Sequence, residues 1–159
     1  MNDLIKIGII SGPVGLKGEL KIISQERFQD RLFKVGNRIY INNKEYIIKT
    51  SRLFKNNYII SLEGYESINL IDDFLNQEIF IKKSDSFLKK NEYLYSELFG
   101  FKIVDNQEEI GIVKEILLNK NNAFIKCNKL IIPLIDKYLE LVDLDNKIIY
   151  VKNSKELML

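Results

Sequence analysis

The sequence predicts a mainly β protein built as two small barrels with a short polar connection between them. Three observations carry that expectation. Apolar and polar residues alternate with a period of two in short runs rich in isoleucine and aromatic residues, the pattern of strands with one buried face. Turn formers separate those runs at close spacing and leave no room for long helices. A charged stretch, KKSDSFLKKN at 82–91, interrupts the pattern near the middle of the 159 residues, where a boundary between two cores belongs.

In order along the first half, Ile5-Lys6-Ile7, Leu20-Lys21-Ile22, Ile39-Tyr40-Ile41, Tyr46 to Ile48 and Tyr58 to Leu62 read as strands, with turns at Asn42-Asn43 and Asn56-Asn57. Closing such a meander into an antiparallel barrel removes the exposed edges an open sheet would leave. One helix is expected from Ser67 as N-cap, because Ile68, Ile71 and Leu75, with Leu70 and Phe74 beside them, recur three and four apart. The domains are expected at 1–83 and 92–159, with 84–91 as linker. In the second half the strand pattern resumes at Phe101 to Val104, Ile110 to Leu117, Ala123 to Cys127, Leu130 to Pro133, Leu139 to Val142 and Ile148 to Val151. Turns are expected at Asp105 to Gln107 and Asn119 to Asn122, and a helical turn near Ile135 to Tyr138.

Composition narrows the chemistry. Histidine is absent and Cys127 is the only cysteine. Ser-His and Cys-His nucleophilic pairs, an intramolecular disulfide and a multi-cysteine zinc site are therefore excluded. A non-enzymatic role without cofactor or metal is the expectation. The adjacent acidic pairs Asp72-Asp73 and Glu108-Glu109 read as solubilising charge, since neighbours on a strand or helix do not converge on one ligand. Apolar runs fall far short of the roughly 18 residues a membrane helix needs, and residues 1–10 lack the pattern of a secretory signal; a cytoplasmic address is expected.

Net charge is +2, from 24 basic and 22 acidic residues, too balanced to argue for nucleic acid by itself. Distribution says more, because Arg27, Arg31, Arg38 and Arg52 all lie in the first third of the chain. Lys17, Arg27, Arg31 and Arg52 are the candidate RNA-facing residues. If 25–34 is helical, Arg27 and Arg31, four apart, share a side.

The stretch GPVGLKGELKI, Gly12 to Ile22, matches neither a P-loop nor a dinucleotide fingerprint, because Gly18 leads into Glu19 and a strand rather than a helix. Its GxxG spellings match a KH loop, but that loop joins two helices. Gly12, Pro13, Gly15 and Gly18 are expected to shape a strand connection, with glycine supplying positive φ and proline stiffness.

Five segments, in this order, resemble the RimM family of ribosome maturation factors, the 16S rRNA processing proteins. They are IKIGIISGPVGLKGELKI, SRLFKNNYIISLEGYES with the helix expected after it, NEYLYSELFGFKIV, EEIGIVKEIL and LIIPLIDKYLELVDLDNKIIYV. The resemblance implies a six-stranded N-terminal barrel like those of translation factors and a C-terminal PRC barrel. It also implies a non-catalytic factor that binds the immature small (30S) ribosomal subunit, helps its head mature and so promotes 16S rRNA processing; a monomer is expected. Its partner there would be ribosomal protein nineteen of the head (uS19), met through the PRC barrel, with 16S rRNA contacts besides. The family commonly has histidine at the positions of Val14 and Phe54. The family's aromatic pair after the linker is represented by Tyr93, Leu94 and Tyr95, the candidate ribosomal-protein-binding residues. In an extended segment the two phenols would face one side and Leu94 the other. Similar barrels occur in flavin-binding reductases and PRC barrels in photosynthetic reaction centres; a bound chromophore or a membrane anchor would mark either alternative.

Overall fold

In the computed structural model, which describes residues 4–119, 122–128 and 130–158, the chain divides into two compact units, Met1–Lys90 and Asn91–Leu159.

Six strands make the first unit: β1 (Leu4–Val14), β2 (Glu19–Ile23), β3 (Arg38–Ile41), β4 (Lys44–Phe54), β5 (Asn57–Leu62) and β6 (Glu78–Lys82). They close as a barrel in the order β1-β2-β5-β4-β3-β6, and every pairing is antiparallel. The period of two does what it should at Leu20 and Ile22, Ile39 and Ile41, Ile60 and Leu62, and Ile79 and Ile81, all buried; Ile48 is buried too, and β1 buries Ile7 and Ile10, three apart, where its register against β6 shifts. Each such side chain removed from water contributes about 1.5–3 kcal/mol, so the isoleucine-rich alternation is itself the main stabilising term. The β3–β4 connection is a two-residue turn with Asn42 and Asn43 both at positive φ, the form whose twist matches paired strands. The β4–β5 turn lies one residue earlier than expected, at Lys55-Asn56, and Asn57 already pairs with Phe54.

The helix expected from Ser67 is instead two short 3-10 turns, Ile68–Leu70 and Asp72–Phe74. Ser67 does cap the first, its hydroxyl accepting from Asn69 N at 3.3 Å. Ile71 and Phe74 are the buried residues there, and a spacing of three suits the 3-10 repeat better than the α repeat. Phe74, Tyr46 and Tyr65 meet edge to face with centroids 5.0–5.5 Å apart, which fastens the segment to β4. Residues 83–87 also pack on this unit. Ser86 is buried and donates to Lys83 O, while Lys34 Nζ lies 4.5 Å from the centre of the Phe87 ring.

The second unit holds β7 (Lys102–Asp105), β8 (Glu108–Ile112), β9 (Glu115–Asn119), β10 (Asn122–Cys127), β11 (Leu130–Pro133), β12 (Leu139–Asp143) and β13 (Ile148–Val151). They pair as a four-stranded sheet, β12-β13-β7-β8, and a three-stranded one, β11-β10-β9. One core is shared by both: Ile103, Ile149 and Val151 come from the first, Ile125, Cys127 and Ile132 from the second, and Leu98, Phe101 and Val113 from the segments that connect strands. β7 and β13 run parallel, Ile149 opposite Ile103, while the other pairings in the unit are antiparallel. The turn expected over 119–122 includes residues 120 and 121, which lie outside the described residues.

Cys127 is buried, and burial pushes its thiol pKa up. A Cβ placed on Gly111 would stand 3.1 Å from Cys127 Cβ, so the two sheets approach closely there. This is a packing role for the cysteine.

Candidate functional site

The glycine stretch is smaller as a loop than its spelling suggests. β1 runs through Val14, with Gly12 opposite Lys21 and Pro13 opposite Leu20, so Gly12 and Pro13 belong to the strand. Pro13 lies where β1 pairs with β2 but no longer with β6, an edge that tolerates a missing N–H. The connection is only Gly15-Leu16-Lys17-Gly18. Gly15 and Gly18 have φ of 68° and 78°. Gly18 is also a contact point: an added Cβ would stand 2.2 Å from Tyr65 O and 2.8 Å from Ser67 N. Ile68 N donates to Leu16 O at 3.0 Å beside it. The turn is thus seated on the 65–68 segment and presents Leu16 and Lys17 to solvent.

The four candidate RNA-facing residues fall into two groups. Lys17 lies in the turn. Arg52 makes a bidentate ion pair with Glu19, Nε to Oε2 and Nη2 to Oε1 both at 3.1 Å. The Arg52 hydrogen bond, with the charges of Arg52 and Lys17, holds the Glu19 carboxyl below the usual range against the opposing effect of burial. Arg52 is therefore not a simple unengaged phosphate ligand; its charge is shared with a carboxylate.

Arg27 and Arg31 come together, although not for the expected reason. The helix is a single turn, Gln29–Leu32, and Arg27 precedes it. Phe28 adopts a left-handed backbone, φ 60° and ψ 35°, and both guanidiniums lie over its ring, at 4.8 Å for Arg27 and 4.5 Å for Arg31. Asn37 Nδ2 donates to Leu32 O at 2.7 Å and closes the end of the helix. Arg31 Nη1 also donates to Phe87 O at 3.3 Å, and with Lys34 over Phe87 three cations gather around two aromatic rings. β2 separates this group from the Lys17–Arg52 group by roughly 13 Å of strand. The basic residues make two surfaces.

The tyrosine segment is arranged differently from the extended strip expected. Tyr95 opens a 3-10 turn, Tyr95–Leu98, with Leu94 preceding it as N-cap. Leu94 is fully buried, so it anchors the segment and is not itself a contact residue. Its N–H donates to Glu97 Oε1 at 2.8 Å, which ties the turn to its start. Tyr93 leans on the core and Tyr95 is half-buried. Phe99, beside them, is 65% exposed. Leu98 and Phe101 carry the burial, three apart across the turn, and Gly100 at φ 83° swings Phe99 outward. A period-two reading could not find it; counting by three from Leu98 would.

A groove of about 370 Å³ lies between the β7–β8 turn and the final 3-10 turn, Ser154–Leu157. Asp105 is occupied there, accepting from Ser154 N at 3.0 Å and from the Ser154 hydroxyl. Among the described residues no group of three or more potential metal ligands converges, and no helix is long and apolar enough to cross a membrane.

Comparison with known proteins matches residues 5–86 to the family model described as the RimM N-terminal domain. Curated relatives cover almost the whole chain. The ribosome maturation factor RimM of Oceanobacillus iheyensis is 35% identical over 92% of each chain. That of Clostridium tetani is 30% identical over 100% of this chain and 99% of its own. Among solved structures, the crystal structure of a Pseudomonas aeruginosa RimM aligns over 94% of this chain and 96% of its own, at 20% identity and a TM-score of 0.47.

Proposed function

Because this chain belongs to the RimM family, we propose that it is a non-catalytic assembly factor that binds the immature 30S subunit, assists maturation of its head and thereby promotes 16S rRNA processing. The observation that carries this reading is the full-length likeness to proteins named ribosome maturation factor. The chemistry agrees with it. The chain has no histidine and its one cysteine is buried, whereas its exposed features are those of a docking protein: cations held on aromatic faces and a buried-anchor turn presenting tyrosines.

Within this reading the second unit meets ribosomal protein nineteen of the head (uS19) through Tyr93, Tyr95 and the exposed Phe99. Half-buried tyrosines bring apolar area with a hydrogen-bonding tip, already partly ordered by their packing, so little conformational freedom is lost on docking. The Arg27–Arg31–Lys34 group and Lys17 face rRNA phosphate, with the protein acting as a monomer in the cytoplasm. Guanidiniums held against a ring are pre-positioned, which lowers the entropic cost of a phosphate contact. Depleting this protein from its cells should cause unprocessed 16S precursor to accumulate in free small subunits; normal processing after depletion would refute the proposal.

A further inference from the structure

The β4–β5 hairpin ends in a feature that neither the barrel core nor the two basic groups account for. Phe54 is 51% exposed and Leu53 59% exposed, so both faces of the strand end project into solvent. Arg52 and Phe54 share a face by the period of two, and the Arg52 guanidinium lies 5.9 Å from the centre of the Phe54 ring. Lys55 adds its ammonium at 5.3 Å. Lys55 occupies the first position of the turn at φ 51°, a left-handed conformation that asparagine or glycine adopts at lower cost. The residue is thus costly in backbone terms and places a cation on the ring.

Further cations stand near the Arg52–Glu19 pair. Lys21 lies across β5 from Arg52, both being register partners of Ile59. Lys17 acts on the same Glu19 that Arg52 holds. Arg52 and Lys17 thus act on one carboxylate, Arg52 and Lys55 lie at the ring, and Lys21 shares a row with Arg52. An isolated exposed aromatic needs no explanation, but an exposed ring at a hairpin tip with two cations on it has the two parts of a single-strand nucleic-acid contact. These are a π face on which any base can stack and positive charge for the adjoining phosphates. A protein partner is favoured less, because the apolar area is one ring and one leucine set among like charges.

We propose that Phe54, with Lys55 and Arg52, is a stacking platform for an unpaired nucleotide of RNA. The proposal rests on the reading above in taking that RNA to be unfinished small-subunit rRNA. The ring supplies stacking, Lys55 and Lys17 the phosphate contacts, and Glu19 fixes the Arg52 guanidinium beside the ring.

The test uses the full chain and immature small subunits. Phe54→Ala should weaken binding roughly 5- to 150-fold, the span produced by removing a base-stacking aromatic, while Phe54→Trp retains it. The salt slope should stay at the wild-type value in Phe54→Ala, because stacking releases no counterions, and should become shallower by about 0.7 in Lys55→Ala. Replacing Phe54 with a photo-crosslinking phenylalanine analogue should label rRNA. Wild-type binding with an unchanged Phe54→Ala affinity, or crosslinks to ribosomal protein only, would overturn this inference alone. No binding of the wild type would overturn both it and the proposed function.

Discussion

Substituting Gly12, Gly15 and Gly18 by alanine, one at a time, separates three effects that the sequence motif merges. At Gly12 no atom lies within 4 Å of the added Cβ, and the residue sits in a strand, so alanine should be neutral or stabilising by up to about 1 kcal/mol. Open space also surrounds Gly15, but at φ 68° alanine incurs the left-handed backbone penalty of about 1–2 kcal/mol. Gly18 adds a collision to that penalty, with the new carbon 2.2 Å from Tyr65 O. The turn must lift off the 65–68 segment, and the bond from Ile68 N to Leu16 O is lost for about another 0.5–1.5 kcal/mol. The expected order is Gly12 below Gly15 below Gly18, with Gly18→Ala costing about 2–4 kcal/mol. Native-state hydrogen exchange read on peptides from β1, β2 and β5 is the suitable assay, since it reports on the barrel while the second unit serves as an internal reference. Exchange of the slowest barrel amides should accelerate roughly 30- to 1,000-fold in Gly18→Ala. Equal acceleration in Gly15→Ala and Gly18→Ala would refute the claim that Gly18 is required by close approach.

Other outcomes follow from the same structure. The Tyr93→Ala/Tyr95→Ala double variant should lose about 1–4 kcal/mol of small-subunit affinity with some loss of stability from Tyr93; unchanged affinity in the folded variant would remove these residues from the partner surface. Glu19→Gln should cost under about 1 kcal/mol of stability at neutral pH, the scale of an exposed ion pair. Glu19 has a depressed folded pKa, so its contribution is present above the unfolded value and lost as pH falls through the folded one; urea midpoints of wild type and variant should therefore converge in acid, and a difference that persists there would contradict the assignment. Cys127, buried and with its thiol pKa raised, should react with a thiol reagent roughly a thousandfold or more slowly in the native chain than in the unfolded one, whereas comparable rates would show the second core to be open.

Strand existence was legible wherever one face of the strand is buried, because alternation is then written into every second residue, as in Leu20-Lys21-Ile22, where only the lysine is exposed. The parallel β7–β13 pair was not, since a pairing between residues more than forty apart leaves no local trace. At 67–75 the apolar spacing was seen but its period misjudged: Ile68, Ile71 and Phe74 step by threes, and the backbone makes 3-10 turns. Which residues are basic is plain in the sequence, but their grouping depends on geometry. Phe28 in a left-handed conformation, not helical spacing, joins Arg27 to Arg31, and a carboxylate four positions from Ile23 on β2 claims Arg52. Leu94 in its burial and Phe99 in its exposure were decided by a turn that period-two counting cannot see.

The most direct test of the account is a sedimentation assay in which the purified chain is mixed, at physiological ionic strength, with precursor small subunits or with fully assembled ribosomes. Retention on the precursors and release from the assembled particles, with the retained fraction falling as salt is raised, is the predicted result. A chain that stays at the top of the gradient with both would contradict the account.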